Sequence, residues 1–99
     1  MNIELAKKRI SELQNYVDLT ETYVADCFEK HIIKEYAITG SVVKVAEKMN
    51  ELGFKIGERK VESNDVSAVI NTNPSKNDDE LHRIVRRLYR NKLKSHPYL

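Results

Sequence analysis

The segment from Ser41 to Asn71 constrains the fold most strongly, because it holds two short amphipathic helical patterns separated by a tight connection. Ser41 is a favourable N-cap for the first helix, and Gly53 is a favourable C-terminal stop. Apolar residues between them recur at the three- and four-residue spacings that form one helical face. These residues are Val42, Val45, Ala46, Met49 and Leu52.

The second helix of this segment should begin near Ser63. Ser63, Asn64 and Asp65 can each cap the exposed amides of a helix start. The apolar residues that follow at helical spacing are Val66, Val69 and Ile70. The residues predicted to point outward are Asn64, Ser67, Ala68 and Asn71.

The connection between these helices, residues 54–62, interleaves apolar and polar residues around Gly57. A glycine at the first central position suits a two-residue type II′ turn. We therefore predict a short β-hairpin or wing-like loop with Phe54 and Val61 packed against the helices. The cations of the loop should lie outside: Lys55, Arg59 and Lys60.

This segment resembles the expanded-turn helix-turn-helix segments in DNA-binding parts of large serine recombinases and in small proteins of phages and other mobile elements. The matching residues are Ala46, Asn50, Leu52, Gly53, Gly57, Val66, Val69 and Ile70. Position 61 holds valine, where that family has tryptophan or another aromatic residue. The resemblance is confined to residues 41–71 of the 99. It implies a double-stranded DNA partner and does not imply recombinase activity.

Composition favours an all-α domain of four to five helices spanning residues 1–99, because only three glycines and two prolines accompany 32% charged residues. No apolar run approaches the roughly 20 residues of a membrane span, and the N-terminus lacks the apolar run of a signal peptide. The lone Cys27 agrees with a reducing compartment. We expect a cytoplasmic protein without a membrane partner.

Residues 1–38 should form two supporting helices. An apolar seam in the first helix, predicted over residues 3–17, consists of Ile3, Ala6, Ile10, Leu13 and Val17. Its spacing fits a helix packed on its own domain and also a coiled-coil homodimer; we expect self-packing. A break near Asp18 or Thr20 should precede a second helix over residues 21–38, which Gly40 ends. The inner face of that helix should hold Val24, Cys27, Phe28, His31, Ile32 and Tyr36.

A basic helix is predicted over residues 77–95, after a linker that contains Pro74. Asn77 and Glu80 have the spacing of a capping box. One side should hold Leu81, Ile84, Val85 and Leu88, and the opposite side Arg83, Arg86, Arg87, Arg90 and Lys94. Such a cationic face fits phosphate contacts, a solvated surface, an acidic protein partner or the chain's own acidic N-terminal helices in a dimer.

The candidate DNA-contacting residues fall into three groups. Asn64, Ser67 and Asn71 can hydrogen-bond base edges. Backbone contacts are expected from Ser41, Lys44, Lys55, Arg59, Lys60 and Ser63. Further phosphate contacts, or a protein interface, are expected from Arg83, Arg87 and Arg90.

No residue pattern predicts an enzyme, a cofactor or a metal site. Cys27 and His31 are four residues apart, but two ligands are too few for zinc. We expect Cys27 to be a buried thiol, His31 to be a core histidine and His82 to lie on the surface. No nucleophile stands beside a base and an orienting acid.

These features predict a small sequence-specific DNA-binding protein, a transcriptional regulator of phage or mobile-element type that occupies duplex DNA, with a homodimer as a further expectation. The alternative is an interaction module that modulates a regulatory protein without contacting DNA. The nearly neutral second helix of residues 41–71 fits that alternative.

Overall fold

The computed structural model describes residues 2–72 and 79–94, except the side chains of Leu93 and Lys94. The helices are α1 (Ile3–Thr22), α2 (Phe28–Thr39), α3 (Val42–Glu51), α4 (Ser63–Asn71) and α5 (Glu80–Lys94). Residues 2–72 and 79–94 contain no β-strand, so the all-α prediction is confirmed. No helix in this part of the chain is long and apolar enough to cross a membrane. The predictions for Pro74, Asn77 and the Lys94 side chain lie outside the described residues.

Helix α2 is the centre of the molecule, because it packs against each of the other four helices. Its residues Ile32, Ile33 and Tyr36 are almost fully buried. Gly40 ends the helix in a left-handed conformation at φ +67°, as predicted. The rest of the core comes from α3, α4, α5 and the α3–α4 connection: Val45, Ala46, Met49, Val61, Val66, Ile70, Leu81 and Val85.

The break between α1 and α2 lies later than predicted. The hydroxyls of Thr20 and Thr22 donate to carbonyls four residues earlier, at 2.8 and 2.7 Å, and both residues remain helical. The chain leaves the helix at Tyr23 and re-enters it after Cys27. Cys27 and Val24 are exposed in this linker, so the prediction that they face the core is wrong.

The seam of α1 is uncovered, so the prediction that it packs onto its own domain is wrong. Ile3, Ile10 and Leu13 keep 70%, 66% and 64% of their surface exposed. Only the second half of α1 reaches the core, where Tyr16 and Leu19 pack against it. The Tyr16 hydroxyl also donates to the carbonyl of Ala37 at 2.7 Å. Helical periodicity identified an apolar face without identifying what covers it.

Helix α5 is rotated relative to the prediction. Its buried face includes His82, while Leu88 is 42% exposed and Ile84 is half-buried. His82 can be buried because its Nε2 lies 3.1 Å from the carbonyl oxygen of Ile70. A polar group that finds a partner loses most of its burial cost. The prediction that His82 lies on the surface is therefore wrong.

Candidate nucleic-acid interface

The connection between α3 and α4 contains a two-residue turn at Gly57 and Glu58. The N–H groups of Ile56 and Arg59 each donate to the other residue's carbonyl, at 2.9 and 3.1 Å. These bonds form one isolated antiparallel bridge. Gly57 adopts φ +63°, a conformation that other residues rarely accept. The β-pairing in this connection is therefore limited to the single pair of Ile56 and Arg59.

Asn50 fixes the far end of this connection to α3. Its Nδ2 donates to the Val61 carbonyl at 3.0 Å, and its Oδ1 accepts from the Val61 N–H at 2.8 Å. The Val61 side chain is buried. Asn50, one of the residues that match the helix-turn-helix resemblance, thus supplies both side-chain partners of the Val61 backbone.

Arg59 fixes the start of α4. Its guanidinium donates to both carboxylate oxygens of Asp65, at 2.7 and 2.8 Å. Asp65 also accepts from the N–H of Glu62, the N-cap residue, at 2.8 Å. Hydrogen bonding, first from Arg59 and then from the backbone, lowers the pKa of Asp65 to about 2. Arg59 is exposed, as predicted, but much of its donor capacity is used within the chain.

Aromatic packing holds the first part of the connection. The ring of Phe54 lies 5.4 Å from the rings of Phe28 and His31. Lys55 and Lys60, on either side of the turn, are exposed, as predicted. In the described part of the chain, no carboxylate forms a salt bridge with either lysine. Two cations therefore project from a short, anchored loop.

The two ends of α4 have different surroundings. Asn64, in the first turn, is exposed, and Ser63 is half-buried. Ser67 is half-buried and accepts from the Tyr89 hydroxyl at 2.9 Å, so the prediction that it points outward is wrong. Asn71 is exposed, while its backbone carbonyl accepts from Arg86 at 3.2 Å. Helix α5 therefore covers part of the second half of α4, and the first turn is open.

A shallow groove of about 400 Å³ lies between α3 and the start of α4. Val43 and Asn64 line its two sides, together with the carboxylates Glu47 and Glu62. Carboxylates repel phosphates, but they can accept hydrogen bonds from the amino group of cytosine. This groove can face base edges more favourably than it can face a phosphate backbone.

The last turns of α5 lie near the start of α3, at the end of α3 that is opposite to the α3–α4 connection. The Ser41 hydroxyl accepts from the N–H of Lys44 at 3.3 Å, which confirms its capping role. Lys92 donates to the Gly40 carbonyl at 2.8 Å. The last turns of α5 therefore lie beside the first turn of α3, where Lys44 is exposed.

The arginines of α5 lie away from its buried face. Arg83, Arg87 and Arg90 are exposed, and Arg86 is half-buried. The predicted contact residues thus lie on several elements: Lys55 and Lys60 on the α3–α4 connection, and Arg83, Arg87 and Arg90 on α5.

The described residues contain no group of three metal-binding side chains.

Cys27 is exposed and not the buried thiol that was expected, while His31 is half-buried against Phe54. The Arg59–Asp65 pair was missed from the sequence, where Asp65 was interpreted only as a possible capping residue of α4. The Ser67–Tyr89 bond was also missed, because it joins residues 22 positions apart.

Comparisons with known proteins find no counterpart. The chain matches no family model, no curated protein and no solved structure. Its function must therefore be inferred from the geometry of residues 41–71 and α5.

Proposed function

We propose that the protein binds double-stranded DNA through α3, its connection and α4, used as a helix-turn-helix with a wing-like loop. The observation that carries this proposal is the anchored connection, which holds Lys55 and Lys60 in solvent beside the open start of α4. The protein would act as a sequence-specific regulator of phage or mobile-element type, by occupying its DNA site.

The lysines supply the phosphate contacts in this arrangement. Lys55 and Lys60 flank a turn whose C-terminal side is bound to α3 through Asn50 and Val61, and to α4 through Arg59 and Asp65. Anchoring reduces the conformational entropy that the loop loses on binding. Lys44 provides a third cation at the start of α3. Lysine contacts to phosphate strengthen binding without reading sequence.

Base recognition falls to the first turn of α4, which enters the major groove. The exposed amide of Asn64 can donate to N7 and accept from N6 of adenine in the usual bidentate pairing. Ser63 and Asn71 supply further polar groups at the two ends of the helix. Ser67 contributes to the fold, because its hydroxyl is bonded to Tyr89. Arg83, Arg87 and Arg90 of α5 add phosphate contacts outside the groove.

The test compares single lysine variants in duplex binding at several salt concentrations. Lys55→Ala and Lys60→Ala should each weaken binding and reduce the slope of log K against log salt by about 0.9. Lys8→Ala is the matched control, because Lys8 is an exposed lysine on α1 and remote in sequence from residues 41–71. Its slope should equal that of the unchanged protein.

Two results would overturn the proposal. If Lys55→Ala and Lys60→Ala both bind with the unchanged slope, the connection does not contact DNA. If the folded protein shows no salt-dependent binding to duplex DNA, its partner is of another class. The protein-interaction alternative would then take its place, with charge reversal at Arg87 and Arg90 as the first test of the binding surface.

A further inference from the structure

The first half of α1 is a helix without a packing partner in its own chain. Every side chain from residue 2 to residue 15 is exposed except Ala6, which is half-buried. Isolated helices shorter than about 12–15 residues are marginal in water, so this half of α1 gains little stability by itself. Ile3, Ala6, Ile10 and Leu13 of this half nevertheless lie at regular spacing on one face, which continues to Val17; these five residues form the α1 seam.

The α1 seam has the three- and four-residue alternation of a coiled coil. Ile3, Ile10 and Val17 occupy one set of seam positions, and Ala6 and Leu13 the other. Leu13 also lines a groove of about 560 Å³ between α1 and α5, together with Ile84 and Leu88. The same groove is lined by charged side chains, Glu12, Glu80, Arg83 and Arg87, so the apolar contact between the seam and α5 has a charged border.

Charge along α1 is divided between its two halves. Residues 2–10 carry the cations Lys7, Lys8 and Arg9 with one acid, while residues 11–22 carry three acids, Glu12, Asp18 and Glu21, and no cation. This order opposes the helix dipole, which favours acids near the N-terminus and cations near the C-terminus. Two antiparallel copies, in contrast, would place each basic half beside an acidic half.

We infer that the α1 seam binds the seam of a second copy of this chain in an antiparallel pair. In this pair Ile10 of one copy faces Leu13 of the other, and Ala6 faces Val17. Lys7 then lies beside the flank of the second copy that carries Gln14 and Glu21. Because Thr20 is covered by its own domain, the paired part of the seam runs from Ala6 to Val17, and its contacts are the same for both copies, as a two-fold symmetric interface requires.

A parallel pair is less favourable on the same observations. It would place the basic halves side by side and the acidic halves side by side. The rest of each domain contacts α1 through Tyr16, Leu19 and Thr20, near the end of the helix. In the antiparallel pair, the two domains therefore lie at opposite ends of the paired helices. Residues 41–71 take no part in this arrangement, so the pairing can be measured without DNA.

The test is the molecular mass in solution, measured by sedimentation equilibrium without DNA and under reducing conditions because Cys27 is exposed. The dimer should have twice the chain mass of 11.5 kDa, and dissociate on dilution. Ile10→Asp should abolish the dimer while leaving helices α2 to α5 folded, since Ile10 is 66% exposed and lies outside the core cluster. Ser11→Asp is the matched control, because it adds the same charge on the neighbouring exposed position and should keep the dimer.

Orientation is tested by charge reversal. Glu21→Lys should raise the dissociation constant of the dimer about tenfold, because the new lysine lies beside Lys7 of the second copy. The double variant Lys7→Glu with Glu21→Lys should restore the original dissociation constant. A monomer at every concentration up to about 1 mM, or a dimer that survives Ile10→Asp, would overturn the proposed interface. A dimer unaffected by Glu21→Lys, or not restored by the double variant, would overturn the antiparallel arrangement.

Discussion

Replacing Asn50 by alanine should destabilise the fold more than any other single change to an asparagine in the described helices. The side chain makes two hydrogen bonds to the backbone of Val61, at 3.0 and 2.8 Å. Each contributes about 1 kcal/mol, and a buried backbone group left without a partner costs about 1–3 kcal/mol. Because Asn50 is only half-buried, water can reach part of the site, and we expect a total loss of about 2–3 kcal/mol in the free energy of unfolding.

Urea denaturation followed by circular dichroism measures this loss. The matched control is Asn91→Ala on α5, where the asparagine is exposed and no hydrogen bond of its side chain is seen among the described residues. Both variants gain up to about 0.7 kcal/mol of helix propensity, so their difference isolates the contacts of Asn50. Equal unfolding free energies for Asn50→Ala and Asn91→Ala would refute the view that Asn50 anchors the connection.

Two further predictions concern ion pairing and the start of α5. The pKa of Asp65 is lowered to about 2 from an ordinary value of 3.8, so the ion pair with Arg59 stabilises the fold above pH 3.8 and its contribution is lost as the pH falls through 2. Between pH 3.8 and 2, the Tm of the unchanged protein should fall more steeply than the Tm of Asp65→Asn. Parallel plots of Tm against pH would contradict a stabilising role of this ion pair. Tyr23→Phe removes the 2.5 Å hydrogen bond to Asp79 and should lower the free energy of unfolding in urea by about 1–2 kcal/mol, whereas no loss would show that this bond is unimportant.

Local capping chemistry made the boundaries of α3 and α4 predictable. Ser41 caps α3, and Gly53 follows its end with φ +93°. Ser63 begins α4, as predicted, although its N-cap is Glu62 and Asp65 bonds back to it. Such bonds join residues three positions apart, so they can be predicted from the sequence alone.

Contacts between distant residues could not be predicted in this way. The partners of Asn50 and Ser67 are 11 and 22 residues away, and no periodic pattern identifies them. The low helix propensity of Thr20 suggested a break, but burial and a bond to the Tyr16 carbonyl keep it helical. His82 was misplaced because its partner, the Ile70 carbonyl, lies on another helix.

The candidate site was predictable only where its features follow from local sequence patterns. Exposure of Lys55 and Lys60 followed from the alternation of residues 54–61, in which Phe54 and Val61 pack inward. The bond between Ser67 and Tyr89 removed one expected base contact, since it depends on how α5 packs on α4. Periodicity could not decide what covers the α1 seam, because packing on the same chain and on a second copy require the same pattern.

The most direct test of DNA binding is the affinity of the unchanged protein for generic duplex DNA, measured by fluorescence anisotropy at several salt concentrations. Three lysines, with or without the arginines of α5, predict a slope of log K against log salt of about −3 to −5. Binding that falls with salt in this range would support the proposed interface. The absence of binding at low salt, for a sample whose circular dichroism shows it to be folded, would contradict it.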